Sequence, residues 1–140
     1  MLATIAEDYF SWRGRIRRRS YWLRSLAAAL AIGVIGGLGG LARPVSEPAA
    51  VALWGLAILL GAWVCASLVV RRFHDHGRDG RLGFACLAAA SALGGLGHWI
   101  GAPPPATILA SAVGLALSAY VGFAPGVRGP NRYGPDPAAD

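Results

Sequence analysis

Between Ala49 and Val70 the chain carries no charged side chain, and the stretch from Ala106 to Val127 is uncharged as well. A helix needs about 20 consecutive apolar residues to cross about 30 Å of hydrocarbon, so each run can span a bilayer. Two further windows come close to that length: Ser25–Ala42, and Leu82–Ala102, where His98 is the one titratable group. The expected fold class is therefore all-α, an integral membrane four-helix bundle with spans at about 25–42, 49–70, 82–102 and 106–127. Around these lie an Arg-rich N-terminal segment (1–24), a loop (71–81) and a tail (128–140), all within a single membrane domain 1–140.

Composition agrees with that reading. Hydrophobic residues make up 55% of the chain and charged residues 14%, against about 25% charged in an ordinary soluble domain. The apolar residues are gathered into blocks and not distributed at a helix or strand period, which argues against one soluble core with a polar surface. The first block follows a basic stretch, but it exceeds the 7–15 residue h-region of a cleavable signal and ends in LARPVSEP. It reads as a retained helix.

All 13 basic residues are Arg. Arg13, Arg15, Arg17, Arg18, Arg19 and Arg24 precede the first span. Arg71, Arg72, Arg78 and Arg81 separate the second from the third, and Arg128 and Arg132 follow the fourth. The opposite side has Arg43 alone. The positive-inside rule then puts the N-terminus, the C-terminus and the central loop of this multi-pass chain in the cytoplasm. Arg residues flanking apolar spans indicate anionic headgroups as partners, and not nucleic acid. Trp12, Tyr21 and Trp22 fall near the inner boundary, and Trp54 and Trp99 near the outer one, as aromatic belts do; Trp63 lies inside a span.

Gly33 with Gly37, Gly36 with Gly40, and the series Ala110, Gly114, Ser118 and Gly122 supply small residues at four-residue intervals, where helix backbones can approach closely. Cys65 and Cys86 lie within apolar runs and form no CxxC pair, so they read as buried packing residues outside any disulfide framework or zinc site.

The polar residues collect in three stretches: YFSWRGRIRRRSYW, RRFHDHGRDG and GVRGPNRYGPDP. The first contains Phe10, Gly14-Arg15, Arg18 and Tyr21-Trp22. The second contains Arg72, His74-Asp75, Gly77-Arg78 and Gly80, and the third Asn131, Tyr133-Gly134 and Asp136-Pro137. In these motifs and their order the chain resembles the domain of unknown function 805 family, the YhaH-like bacterial inner-membrane proteins. Asp79 stands where that family usually has Ser, and Arg81 where an aromatic often follows. The resemblance implies location and topology and leaves the activity open.

Residue by residue, Gly77 and Gly80 suit a tight turn after His76. Asp75 can cap that turn or accept from Arg15 or Arg18, closing the cytoplasmic end of the bundle. Arg15, Arg18, Arg71, Arg72 and Arg78, with Arg17, Arg19 and Arg81 nearby, can instead bind the phosphates of anionic lipid bidentately. His74, Asp75, Gly77, Gly80, Asn131, Tyr133 and Asp136 complete the candidate cap. His74, Asp75 and His76 suggest a metal or proton role in a small oligomeric transporter, but neither HExxH nor a Cys pair supplies a defined metal set. The spans carry no central acid or Arg of the kind an ion path shows. Ser20, Ser25, Ser67 and Ser91 stand outside any Gly-x-Ser-x-Gly turn and no Walker loop is present, so catalysis on lipid headgroups is the weaker alternative. The reading is a non-catalytic scaffold or partner subunit that engages membrane lipid, another membrane protein or itself, with no cofactor.

Overall fold

The computed structural model describes the backbone of residues 2–99, 101 and 103–139, and the side chains of that range apart from residues 2–4, 6, 91 and 94–99. The side chains of Ser91, His98 and Trp99, and Asp140 as a whole, lie outside the described residues. The described chain is helical: α1 (Leu2–Phe10), α2 (Arg18–Ala42), α3 (Glu47–Asp75), α4 (Gly80–Trp99) and α5 (Pro104–Phe123). Among the described residues no strand forms; Asn131 and Gly134 make an isolated bridge in the tail.

Three helices, α2, α3 and α5, are long and apolar enough to cross a membrane, and Gly80–Ala90 of α4 is a shorter apolar helix. Leucines along α2 and α3 stand open in the isolated chain, Leu41 at 76% and Leu59 at 72% exposure. In water such surface would be costly, whereas lipid tails are a matching solvent for it.

Helix limits differ from the sequence expectation at several ends. α1 was not anticipated within 1–24. α2 starts at Arg18 and not Ser25, and α3 runs on through Arg71–Asp75, residues expected to be loop. A helix does not stop where its hydrophobicity stops; it stops where the backbone is capped. Here that is Gly77, with φ +69°, whose N–H bonds to His74 O at 3.0 Å while Arg78 N–H bonds to Phe73 O at 3.0 Å. This is the six-to-one and five-to-two pairing of a Schellman cap. α5 opens with Pro at its first positions, where a missing N–H costs nothing. It ends at Phe123, so 124–127 belong to the tail.

Packing divides the chain into two compact units, Met1–Trp12 with Arg19–Leu68, and Arg13–Arg18 with Val69–Asp140. In the first, Trp54 of α3 donates its indole N–H to Gly36 O of α2 at 3.1 Å. An added Cβ on Gly39 would lie 2.7 Å from that ring. Gly39 is thus the close-approach glycine, while Gly33, Gly36, Gly37 and Gly40 have open space around them. Of the ridge residues expected on α2, Gly36 takes part through its carbonyl, and Trp54 anchors the helix pair. α1 is tied to its neighbours by an Asp8–Arg24 ion pair and by Ser67 Oγ donating to Tyr9 O at 2.6 Å. Trp12 meets Trp63 edge to face, centroids 5.5 Å apart.

In the second unit α4 packs on α5, and a Cβ on Gly114 would meet Ala90 Cβ at 3.5 Å. Of the small-residue series on α5, Gly114 thus faces α4, whereas Ser118 is exposed. Gly80 lies against Val70, where a Cβ would come within 2.8 Å of the Val70 Cα. Cys65 and Cys86 are free and exposed, not buried as expected; a thiol in an apolar run can face outward when the helix surroundings are themselves apolar.

A guanidinium-clamped polar cap as candidate functional site

The site grows from the end of α3. Arg72 and Asp75, three residues apart, share one helical face, and Arg72 donates Nη1 to Asp75 Oδ2. From the segment before α2, Arg15 reaches the other carboxylate oxygen, with Nε at 3.1 Å and Nη2 at 3.0 Å from Asp75 Oδ1. The carboxylate is therefore held between two cations. All three side chains are almost fully enclosed: 0% exposed for Arg72, 1% for Arg15 and 5% for Asp75.

Two buried cations facing one anion leave an excess positive charge, and α5 supplies the counterweight. Its last carbonyls are orphaned by the helix geometry and carry the negative end of the helix dipole. Arg72 donates Nε to Val121 O at 2.9 Å and Nη2 to Ala124 O. Arg18 donates to Phe123 O at 3.3 Å, and the His76 ring Nε2 lies 3.3 Å from Ala124 O. Because a carbonyl only accepts, His76 carries its proton on Nε2, and its buried Nδ1 has no hydrogen-bond partner among the described residues. Burial pushes the His76 ring below the ordinary histidine value, overriding the Ala124 hydrogen bond that favours the charged form; Arg72 and Arg78 also lower it, while Asp75 raises it.

Arg15 extends the network into the tail, donating Nη2 to Val127 O at 2.6 Å and Nη1 to Gly129 O at 2.7 Å. Val127 N–H returns a bond to Asp75 O at 2.9 Å. Gly126 lies so close to Asp75 that any Cβ would overlap the carboxylate. Asn131 Nδ2 donates to His74 O at 3.0 Å, and its Oδ1 accepts from Tyr133 N–H at 2.9 Å. His74 donates Nδ1 to Gly14 O at 3.1 Å and stacks on Tyr133, centroids 3.9 Å apart and planes 7° from parallel. Asp136 accepts from Ala138 N–H at 2.9 Å and Gly129 N–H at 2.7 Å, and these bonds hold its carboxyl below the usual aspartate value.

Residues 13–18 of the first polar stretch thus meet the second and third stretches in one unit. Of the sequence candidates, Arg15, Arg72, His74, Asp75, Gly77, Gly80, Asn131, Tyr133 and Asp136 belong to this network or to the turn that shapes it. Arg18 bonds to Phe123 O and not to Asp75. Arg71 is half-buried, and Arg78 is exposed with its guanidinium 5.8 Å from the Tyr120 ring centroid. Asp79 accepts from Arg81 N–H at 2.9 Å at the start of α4. That is an N-cap, a role Asp and Ser share, so the departure from Ser keeps the function of the position.

Sequence reasoning missed Gly14, Ile16, Tyr120, Gly126 and Val127. Ile16, 2% exposed, was the one findable from pattern, as the lone apolar residue in RGRIRRRS. Of the residues considered for metal ligation, Asp75 has both oxygens taken by guanidiniums, while His74 and His76 each bond to a carbonyl through one ring nitrogen. Among the described residues no three His, Cys, Asp or Glu side chains converge.

Comparison with known proteins agrees with these motifs. Residues 9–135, which include the first two polar stretches and the third as far as Pro135, match the profile of the family described as protein of unknown function (DUF805). Two proteins described as uncharacterized protein YiiR, from Escherichia coli strain K12 and from E. coli O157:H7, are each 33% identical over 141 residues. Each match covers 95% of this chain and 90% of the relative. No solved structure matches the chain. With a family match over residues 9–135 and relatives aligned over 90% of their length, the chain belongs to the DUF805 family.

Proposed function

We propose that this is a multi-pass protein of the bacterial cytoplasmic membrane, with four spanning helices and both termini in the cytoplasm. In this reading it acts without catalysis, as a scaffold or partner subunit whose Arg-rich face engages anionic lipid. The observation that carries it is the clamped carboxylate. Asp75, the acid best placed for chemistry in the central motif, has both oxygens occupied by guanidiniums, which suits a structural tie. The arginines outside the clamp, Arg17, Arg18, Arg78, Arg81, Arg128 and Arg132, are exposed and free to meet headgroups, each contributing about 1 kcal/mol near an anionic surface.

The test is the melting temperature of purified protein in mild detergent, with phosphatidylglycerol or phosphatidylcholine added at equal mole fraction. A rise specific to phosphatidylglycerol supports lipid engagement, and equal responses remove it. A C-terminal fluorescent-protein fusion that is dark, beside an active alkaline phosphatase fusion at the same place, would overturn the assigned topology.

A further inference from the structure

We infer that the tail of the second unit forms a defined binding pocket for a phosphate group, in which Arg17 and Arg128 are the principal ligands. The inference deepens the lipid-engaging reading above and rests on it. A cavity of about 220 Å³ opens where the tail turns past the end of α3. At about 30 Å³ per water this is room for roughly seven waters, enough for a phosphate group and part of its ester but not for an acyl chain. Arg17, Arg18, Arg72 and Arg128 line it against two carboxylates, Asp75 and Asp136.

Four guanidiniums outnumber these two carboxylates, and Asp136 draws electrostatically on Arg15 and Arg128. Asp75 is neutralised by Arg15 and Arg72, and both oxygens of Asp136 accept backbone N–H groups. The pocket therefore keeps an excess of positive charge. Arg18 spends one donor on Phe123 O, while Arg17 and Arg128 make no hydrogen bond or salt bridge among the described residues. Guanidinium forks with open donors match phosphate oxygens bidentately.

The wall that presents Arg128 is fixed from behind. Arg15 holds Val127 O, Val127 N–H holds Asp75 O, and Gly126 is pressed against the Asp75 carboxylate. Positive-inside topology requires charge on one side but no concavity and no rigid backing. Preorganised donors around a cavity are what distinguish a site from a charged surface.

The experiment uses the full chain in neutral detergent and titrates two probes, inorganic phosphate and dioctanoyl phosphatidic acid, with dioctanoyl phosphatidylcholine as control. It compares the wild type with Arg17→Gln/Arg128→Gln and with Arg13→Gln/Arg43→Gln, which removes the same charge outside the pocket. Melting curves verify that each variant is folded. The expected result is at least tenfold weaker binding of phosphatidic acid in the first variant and less than twofold in the second. Competition by inorganic phosphate at similar affinity assigns the pocket to a free phosphate source. Binding of the lipid alone assigns it to a headgroup. Equal losses in both variants, or no binding of either probe to the wild type, overturn the pocket. The separate phosphatidylglycerol melting shift then decides whether general lipid engagement survives.

Discussion

Arg15 and Arg17 stand two residues apart in the same short segment, yet they live in different solvents. Arg15 is enclosed, and all three of its nitrogens donate, to Asp75 and to tail carbonyls. Arg17 is exposed at a cavity edge with its donors open. The same contrast recurs between Arg72, fully buried, and Arg128, exposed. A buried guanidinium holds structure because losing any partner strands a charge; an exposed one costs little to change and is available to a ligand. One residue type therefore occupies two environments in one compact unit, and burial separates them.

The largest way to break this contrast is Arg72→Ala. It strands Asp75 with a single cation, uncaps Val121 O and Ala124 O, and opens a void; the expected loss is about 3–5 kcal/mol, read as a large fall in melting temperature. Arg128→Ala should stay within about 0.5 kcal/mol of the wild type in the same assay. Gly126→Ala, which replaces no charged residue, forces a methyl into the Asp75 carboxylate and should cost about 1–3 kcal/mol. Asp79→Ala removes the α4 cap for about 1 kcal/mol, and Asp79→Ser should restore most of it.

The smallest effect concerns pH. His76 titrates below its ordinary value in the fold, so the unfolded chain takes up the proton first as pH falls. Its contribution is intact above the unfolded pKa near 6.5 and is lost as pH drops through the lower folded value. Melting temperature should therefore decline more steeply from pH 7.5 to 5.5 in the wild type than in His76→Phe. Parallel slopes would show that burial of His76 is not what the fold resists.

Much of this was legible in the sequence. Long uncharged runs announce apolar helices, and Gly77 and Gly80 announce the turn, because those signals are local. Asp75 with Arg15 or Arg18 was foreseeable as a pair, since an acid closed in among arginines needs a cation, and Arg15 is the partner found. The rest depends on tertiary position. Nothing in RGRIRRRS says that Arg15 is buried and Arg17 is not. Nothing in RRFHD says that the helix continues, since the cap lies beyond it. Gly39 looks no different from Gly36 or Gly40 until Trp54 is seen beside it. Exposed Cys65 and Cys86 defeat a rule drawn from soluble cores, where apolar neighbours imply burial.

The most direct test is the melting curve of Asp75→Ala beside that of Arg17→Gln/Arg128→Gln, in the same detergent at pH 7.5. The account predicts a large drop for the first, because two buried guanidiniums lose their shared anion, and a curve close to the wild type for the second. Coincident curves would contradict it, and would mean that the clamped carboxylate does not hold the cap together.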